Sequence, residues 1–304
     1  MSYARIVALT SLAMIAFASN SLLCRVALKH TSIDAASFTS IRLASGAVVL
    51  WLVVRITRGT QPGGGNWRSA FALFAYAAGF SFAYVSLPAA TGALLLFGAV
   101  QATMIGHGIW AGERLLRLQL VGLVLALGGL VGLLLPGLSA PPLLGSLLML
   151  GAGVAWGIYS LRGKGAGDPT KVTAGNFLRA VPIAAALSVL MHDGASLDSA
   201  GFWYAVSSGA LASGIGYAIW YTALPALKAT NAATVQLSVP VIAAVGGILF
   251  LGESLTLRLV LASAAILGGI ALVILEKKNA NGTQQGAPVD VSAAASAASG
   301  PRLR

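Results

Sequence analysis

The sequence predicts an all-α polytopic membrane protein with ten transmembrane helices, arranged as two five-helix repeats of inverted topology. Three observations predict this fold: the composition, the number of apolar segments long enough to span a bilayer, and an internal repeat. Of the 304 residues, 57% are hydrophobic and only 9% are charged. About a quarter of the residues of a soluble domain are charged, so lipid must surround most of this chain.

Ten apolar segments follow one another along the chain. A bilayer core about 30 Å thick requires about 20 apolar residues in a helix. Glycine- and proline-rich turn sequences, for example residues 61–65 and 136–137, separate several of the segments. The predicted spans are residues 4–28, 35–56, 67–87, 90–111, 116–135, 142–162, 171–191, 200–222, 229–251 and 256–275.

The first segment has some features of a signal peptide. Arg5 precedes an apolar stretch, and Ala16-Phe17-Ala18 has the pattern of a cleavage site. However, the apolar run continues past that site to Leu28, and the second half of the chain contains a matching segment. We therefore expect the first helix to remain in the protein.

Lysine and arginine are unevenly distributed between the two sides of the predicted topology. If the N-terminus is cytoplasmic, 14 of the 19 lysines and arginines lie on the cytoplasmic side, as the positive-inside rule requires. An even number of spans then places both termini in the cytoplasm and the chain in a bacterial-type inner membrane. The other five basic residues are Arg25, Lys29, Arg42, Arg179 and Arg258.

The net charge of +11 does not indicate a nucleic-acid-binding protein, because the basic residues lie in short segments between apolar runs and form no continuous basic face. The expected partners are the lipid bilayer and a small-molecule substrate, with no nucleic acid. Cys24 is the single cysteine, so an internal disulfide is impossible. The three histidines have no metal-ligand spacing, and we expect neither a metal nor a cofactor.

The two halves of the chain repeat the same short motifs in the same order. Each half has five spans, an odd number, so the second half enters the membrane inverted, as in many transporters. We assign the repeats to residues 4–135 and 142–276, and a disordered cytoplasmic tail to residues 279–304. The matched motifs are Tyr84-Val-Ser-Leu-Pro88 with Tyr221-Thr-Ala-Leu-Pro225, Gly112-Glu113 with Gly252-Glu253, Gly128-Gly129 with Gly268-Gly269, and Arg42 with Arg179.

These duplicated motifs, together with Ser19-Asn20 in the first span, resemble those of the EamA-type drug/metabolite transporter superfamily. The resemblance covers roughly residues 4–276. It implies an inverted bundle of five plus five helices, alternating access, and a central cavity lined by spans one, three, four, six, eight and nine. Within the superfamily, the chain is most similar to the YddG-type exporters of aromatic and other neutral amino acids.

The eight carboxylates all lie at predicted span ends, in loops or in the tail. Exporters of cationic drugs often carry an acidic residue within the membrane, so this pattern favours neutral or zwitterionic cargo. Facilitated export and coupled transport both stay open. Glu113 and Glu253 are candidates for gating or coupling; the favoured alternative is an interfacial carboxylate paired with a nearby arginine such as Arg114, Arg117 or Arg258.

Arg42, Arg179 and His107 are the basic side chains within predicted spans that are candidates for function. Arg42 and Arg179 are about 10–12 Å from their span ends at 1.5 Å per residue. They have two interpretations: binding of a substrate carboxylate or, as we favour, snorkelling to the interface or joining adjacent helices. His107 is a candidate for proton coupling because histidine is a common proton shuttle in proteins. The alternative, which we favour, is a neutral hydrogen-bond partner between helices.

Aromatic and amide side chains are the candidates for a substrate-binding surface. Tyr76, Phe80 and Tyr84 recur every four residues and form one stripe on the third span. Buried tyrosine and tryptophan need polar partners, although aromatic rings are also ordinary in membrane cores and interfaces. The other candidates are Trp156, Tyr159 and Tyr217, with the amides Asn20, Gln101 and Gln236 on spans one, four and nine.

The sequence therefore predicts a monomeric transporter, not an enzyme, that exports small neutral or zwitterionic metabolites by alternating access. Aromatic and other neutral amino acids are the expected cargo. Proton-coupled export of other metabolites or drugs is one alternative, and a lipid scramblase is another. Intramembrane proteolysis is disfavoured, because no serine–histidine pair, aspartate pair or zinc motif lies within the spans.

Overall fold

The computed structural model describes residues 1–58, 64–112, 115–137, 140–163, 167–227 and 235–285, and all regular structure in these residues is helical. The helices are α1 (Tyr3–His30), α2 (Ala35–Arg58), α3 (Trp67–Tyr84), α4 (Ala89–Trp110), α5 (Arg117–Leu134), α6 (Leu143–Gly163), α7 (Pro169–Leu190), α8, α9 (Ser238–Leu251) and α10 (Leu257–Gln285). Helix α8 consists of three consecutive helical segments: α-helical Ser199–Ser207, π-helical Ser208–Ile215 and α-helical Gly216–Ala223.

Seven of these helices are long and apolar enough to cross a membrane: α1, α2, α4, α5, α6, α7 and α10. The prediction of a polytopic helical membrane protein is therefore confirmed. Among the described residues, α9 has 14 residues, and residues 229–234 of the predicted ninth span lie outside them. The count of ten spans stays a prediction.

Polar side chains and prolines fix where several helices begin. Asn66 caps α3 by accepting from the amide of Ser69, and Asp168 caps α7 by accepting from the amides of Thr170 and Lys171. Such side chains satisfy the first amides of a helix, which have no partner within it. Pro169 occupies the first position of α7, where its missing amide costs no hydrogen bond.

Helix α10 is longer than predicted. It continues to Gln285, whereas the sequence predicts a disordered tail from residue 279. Glu276, Lys277 and Lys278, which follow the membrane span, are strong helix formers, so the helix continues past the predicted end of the last span. The rest of the predicted tail, residues 286–304, lies outside the described residues.

The helices pack in pairs that follow the sequence repeat. Helix α2 packs against α7 and α5 against α10, while α3 packs against α6 and α8 against α1. Glycines permit close approaches: a Cβ added at Gly153 would lie 2.6 Å from the Leu96 carbonyl oxygen of α4. In α8, a Cβ added at Gly209 would overlap the carbonyl oxygen of Arg42 in α2. This contact places the π-helical segment of α8 directly against Arg42.

The outer surface is apolar and the interior contains polar side chains. Leu120, Val124 and Val131 of α5 are all more than half exposed, which suits contact with lipid. In contrast, Asn20 and Arg42 are less than a tenth exposed. Buried polar groups are costly unless they serve packing or function, so the interior is where a functional site must be sought.

Candidate functional site

A cavity of about 480 Å³ lies at the centre of the bundle. This volume lies within the usual range for small-molecule sites, about 300–1,000 Å³. It reaches the surface where α6 ends and α7 begins, because the lining residues Gly163 and Gly167 are exposed. We call this side, marked by Ser69, Gly163 and Pro169, the open end. Among the described residues, those that line the cavity include no Asp, Glu, Lys, Arg or His.

The cavity contains eight of the nine side chains that the sequence predicts to bind substrate. The ninth, Tyr84, is fully buried below the cavity, where its hydroxyl donates to the Ala89 carbonyl and its ring lies 4.7 Å from that of Phe80. The eight in the cavity lining are Asn20, Tyr76, Phe80, Gln101, Trp156, Tyr159, Tyr217 and Gln236. Whether these side chains bind substrate stays a prediction.

Trp156 is the centre of an aromatic cluster in the wall of the cavity. Its ring stacks on Tyr217, with centroids 5.4 Å apart, and on Tyr159, with centroids 5.3 Å apart. The ring centroid of Tyr76, on α3, lies 4.8 Å from that of Trp156. These distances are typical of favourable aromatic pairs, so helices α3, α6 and α8 together form one continuous aromatic surface.

A chain of hydrogen bonds crosses the floor of the cavity and joins four helices. The Ser208 hydroxyl donates to the Asn20 side-chain carbonyl at 2.6 Å, and the Asn20 amide donates to the Tyr76 hydroxyl at 3.4 Å. From the other side, Arg42 Nη2 donates to the same hydroxyl at 3.0 Å. The π-helical segment of α8 thus contacts α1, and α1 contacts α3, through polar groups at membrane depth.

A second polar network lines the open end. Asn176 donates to the Tyr159 hydroxyl at 3.4 Å, and its side-chain oxygen accepts from the Asn66 amide at 2.9 Å. Arg162, in the last turn of α6, donates to Ser69 and Asn66. The bond from Arg162 to Asn66 is exposed to solvent, whereas the bond from Asn176 to Tyr159 is buried. Together these contacts join α3, α6 and α7 at the open end.

The opposite side, marked by Arg25, Tyr84, Ala89 and Glu253, is closed. Both carboxylate oxygens of Glu253 accept from the Ala89 amide, at 2.8 and 3.0 Å. Arg25 Nη1 donates to the carbonyls of Tyr84 and Val85, and Arg25 Nε lies 3.5 Å from the Glu253 carboxylate. This last contact is an ion pair without hydrogen-bond geometry. We call this side the closed end.

The ion-pair partner of Glu253 is Arg25, not one of the arginines near Glu253 in the sequence. The sequence predicts pairing with a nearby arginine such as Arg258, but Arg258 donates to the carbonyl of Leu135. Arg25 takes its place because α1 reaches the first turn of α4, whose free amides and positive dipole attract a carboxylate. Contact between residues so distant in sequence has no local signal.

The other charged candidates lie outside the cavity lining. His107 is exposed on α4 beside Trp110. Arg179 donates to the carbonyls of Gly64 and Gly175 and so joins adjacent segments, as one interpretation predicts. Arg42 does not snorkel: it is 2% exposed, directly behind the floor of the cavity. Glu113 lies outside the described residues.

Several lining residues are absent from the sequence-based candidates. Phe17 packs on Tyr217 at 5.5 Å, and Ser213, Trp220 and Asn176 also line the cavity. Asn176 is on α7, a helix that the family resemblance does not include in the lining. An apolar ring such as Phe17 on an apolar helix gives no contrast by which a sequence pattern could detect it. Asn176 is a polar residue within a span, the kind of signal that could have revealed it.

Known proteins resemble both the sequence and the fold. An uncharacterized protein of Pseudomonas aeruginosa is 60% identical over 271 residues, which cover 89% of this chain and 94% of that protein. The threonine/homoserine exporter RhtA of Escherichia coli strain K12 is 39% identical over 157 residues, 48% of this chain and 51% of the exporter. The chain thus spans about half the length of that exporter in the alignment.

The fold comparison agrees over a larger part of the chain. A crystal structure of another protein superposes with a TM-score of 0.65, covering 90% of this chain and 99% of the other, at 18% sequence identity. At that identity the similarity shows the fold alone. The EamA-like transporter family matches residues 143–275. From this match and the relatives above, the chain belongs to the EamA-like transporter family.

Proposed function

We propose that this protein exports small neutral or zwitterionic metabolites, above all aromatic and other neutral amino acids, by alternating access through the central cavity. The lining of that cavity is the observation that carries the proposal. It combines stacked aromatic rings with amide and hydroxyl groups, and among the described residues no charged side chain lines it. Such a surface suits a solute with an apolar side chain and no net charge.

The relatives support the same class of cargo. RhtA is named as an exporter of threonine and homoserine, both small neutral amino acids. The present cavity contains a larger aromatic surface, centred on Trp156, Tyr159 and Tyr217. We therefore extend the cargo to aromatic amino acids, as the resemblance to YddG-type exporters also implies.

The two ends of the cavity support alternating access. We propose ten spans in two inverted repeats, residues 4–135 and 142–276, with both termini in the cytoplasm of a bacterial inner-membrane protein. The distribution of lysine and arginine then places the open end in the cytoplasm, so the structure is ready to accept cargo from the cell. In this proposal the protein acts as a monomer.

Glu253 is the gating residue of this proposal. Its carboxylate joins the corner between α9 and α10 to the start of α4, and together with Arg25 it holds the closed end shut. Export requires these contacts to break while the open end closes. The repeat pairs Glu253 with Glu113, so we propose Glu113 as the second gating residue.

Reconstitution of the purified protein into liposomes tests the proposed cargo. Saturable flux of tryptophan, phenylalanine or threonine, with mutual competition, is the expected result. Trp156→Ala and Asn20→Ala should each lower apparent affinity without loss of folding. Trp203→Ala, which removes an exposed ring outside the cavity lining, is the matched control and should leave transport unchanged.

The same assay separates the alternatives. If no neutral amino acid shows saturable flux, the proposed cargo is wrong. Flux that depends on a pH gradient would favour coupled transport. Movement of labelled phospholipid between leaflets, without amino-acid flux, would point to a scramblase.

A further inference from the structure

Arg42 is a buried cation without an anionic partner. Its side chain is 2% exposed, and no carboxylate of the described residues forms an ion pair with it. Its guanidinium lies 4.7 Å from the ring centroid of Phe80 and 5.3 Å from that of Tyr76. The Nη1 group is buried without any hydrogen-bond partner. An uncompensated buried charge destabilises a protein, so the presence of Arg42 at this position indicates a functional role.

The Tyr76 hydroxyl lies between the Arg42 guanidinium and the cavity. Tyr76 lines the cavity, whereas Arg42 lies behind it. With the Asn20 amide oriented as the structure has it, the hydroxyl oxygen accepts from Arg42 Nη2 and from Asn20 Nδ2. A tyrosine hydroxyl has one proton to donate, and among the described residues it has no acceptor. A hydroxyl that accepts from a cation is a stronger donor, so this proton is available to a solute.

Ser213 offers a second unsatisfied polar group on the same cavity. Its hydroxyl is buried without a hydrogen-bond partner, and the residue lines the cavity. It belongs to the π-helical segment Ser208–Ile215. Single π-helical turns within α-helices are frequent at functional sites, because they shift side chains that a regular helix would aim elsewhere.

We propose that the cavity selects solutes that carry a carboxylate, which the Tyr76 hydroxyl binds directly and Arg42 attracts as a positioning residue behind it. This inference rests on the proposed export of amino acids and names the part of the molecule that is recognised. The carboxylate supplies the negative charge that the buried guanidinium lacks. The same positive field disfavours amines and other cations, so the site distinguishes an amino acid from its decarboxylated or amidated analogue.

Binding measurements on the purified full-length protein test the inference separately from transport. Isothermal titration calorimetry compares L-phenylalanine, L-leucine and L-threonine with the carboxamide and the decarboxylated amine of each. We expect the wild-type protein to bind at least one of the amino acids at least tenfold more tightly than its two analogues. Hydrogen bonds to charged groups typically account for a factor of about ten to one hundred in affinity.

Two variants remove the two polar groups one at a time. Tyr76→Phe removes only the hydroxyl, and Arg42→Gln removes the charge while keeping an amide that can donate to Tyr76. Both should lower affinity for the carboxylate solute about tenfold or more and leave affinity for the carboxamide within about threefold. Arg179→Gln, which removes an arginine that contacts only backbone carbonyls, should leave the ratio of the two affinities unchanged.

The ratio is decisive because a purely structural role would lower both affinities equally. An equal loss for carboxylate and carboxamide in both variants overturns the inference, as does wild-type binding without preference or no binding of any amino acid in the panel. Carboxylate-selective binding without flux in liposomes would support the inference and contradict the proposed transport. Flux without carboxylate selectivity would support the proposed transport and contradict the inference.

Discussion

Arg25 and Arg42 are both buried and both reach α3, but their charges are satisfied in different ways. Arg25 donates to two carbonyls at the end of α3 and lies beside the carboxylate of Glu253. Arg42 has the hydroxyl of Tyr76 and two aromatic faces, with one end of its guanidinium unpartnered. One arginine is neutralised inside the protein, whereas the other is not.

This difference separates the structural use of a buried charge from its use in recognition. A charge with an internal partner joins helices: Arg25 and Glu253 connect α1, the α3–α4 turn and the α9–α10 corner. A charge without an internal partner leaves its field for a ligand, because no other group cancels it. The first should therefore control stability and gating, and the second should control what binds.

The largest effect is expected for Glu253→Ala. The substitution leaves Arg25 without its counter-ion and the Ala89 amide without its acceptor, and breaking a buried ion pair in this way typically costs about 3–5 kcal/mol. The melting temperature should fall markedly. The closed end should also open more often. Cys24, next to Arg25 in sequence, is fully buried in the wild-type structure. A membrane-impermeant maleimide should therefore label Cys24 at least tenfold faster in the variant than in the wild type.

Asp193→Asn is the matched control for loss of a carboxylate. Asp193 pairs with His192 on the surface, and both side chains are more than 70% exposed, so the pair should contribute nothing measurable. Its melting temperature and the labelling rate of Cys24 should equal those of the wild type. Unchanged labelling in Glu253→Ala itself would show that other contacts hold the closed end.

Arg25→Lys and Arg42→Lys compare the two arginines directly. Arg25 donates to both carbonyls through Nη1 while its Nε lies beside Glu253, and a single lysine ammonium cannot occupy both places. We expect Arg25→Lys to lose about 1.5–3 kcal/mol of stability, the usual contribution of hydrogen bonds to charged groups. Arg42→Lys has fewer bonds to lose and should be closer to the wild type in thermal denaturation. The opposite ranking would reverse the roles assigned to the two residues.

The contact between α2 and α8 can be broken at Gly209. A Cβ added at Gly209 would overlap the Arg42 carbonyl oxygen and the Ser45 hydroxyl, so Gly209→Ala must push the two helices apart. We expect a loss of about 1–3 kcal/mol, the usual cost of overpacking, and a weaker preference for carboxylates because Arg42 moves. Gly151→Ala in α6 meets no atom within 4 Å and should be neutral or slightly stabilising in the same denaturation experiment.

Hydropathy predicted the helices well because their positions depend on local composition. The aromatic stripe on α3 was also a good guide, since Tyr76 and Phe80 line the cavity. Tyr84 continues the same stripe but lies about 12 Å further along the helix than Tyr76, at 1.5 Å per residue. That distance takes it into the closed end, where it donates to the Ala89 carbonyl. A stripe thus predicts a face, but it does not show how much of that face a cavity occupies.

The partners of the buried arginines could not be predicted in this way. The depth of Arg42 in its span was clear from the sequence, yet whether it snorkels or points inward depends on α3 and α8, which are distant in sequence. Phe38 and Gly46, one turn before and after it, share its side of the helix; Phe38 is fully buried and Gly46 packs on Phe177 and α8. That spacing was a usable signal of an inward face. Arg25 and Glu253 are joined only by the packing of the two halves.

The smallest effect is expected from Asp34, a carboxylate outside the spans that sharpens the contrast with Glu253. Burial works to raise its pKa, but hydrogen bonds from Ser37, Ser196 and Ala36 outweigh burial and hold the pKa below its ordinary value. The ionised form is therefore stabilised by folding, and this stability is present at neutral pH and lost as the pH falls below about 3.9, the ordinary value for aspartate.

Asp34→Asn keeps a side-chain acceptor at the start of α2 but removes the titration. We expect the melting temperature of the wild type to fall more steeply than that of the variant as the pH drops from 5 to 3, so that the two converge toward the acid end. Because Asp34 is partly exposed, solvent screens its charge and the difference should be smaller than that caused by Glu253→Ala. A larger effect than at Glu253 would mean that the loop contact between Asp34 and Ser196, not the buried pair, holds the closed end together.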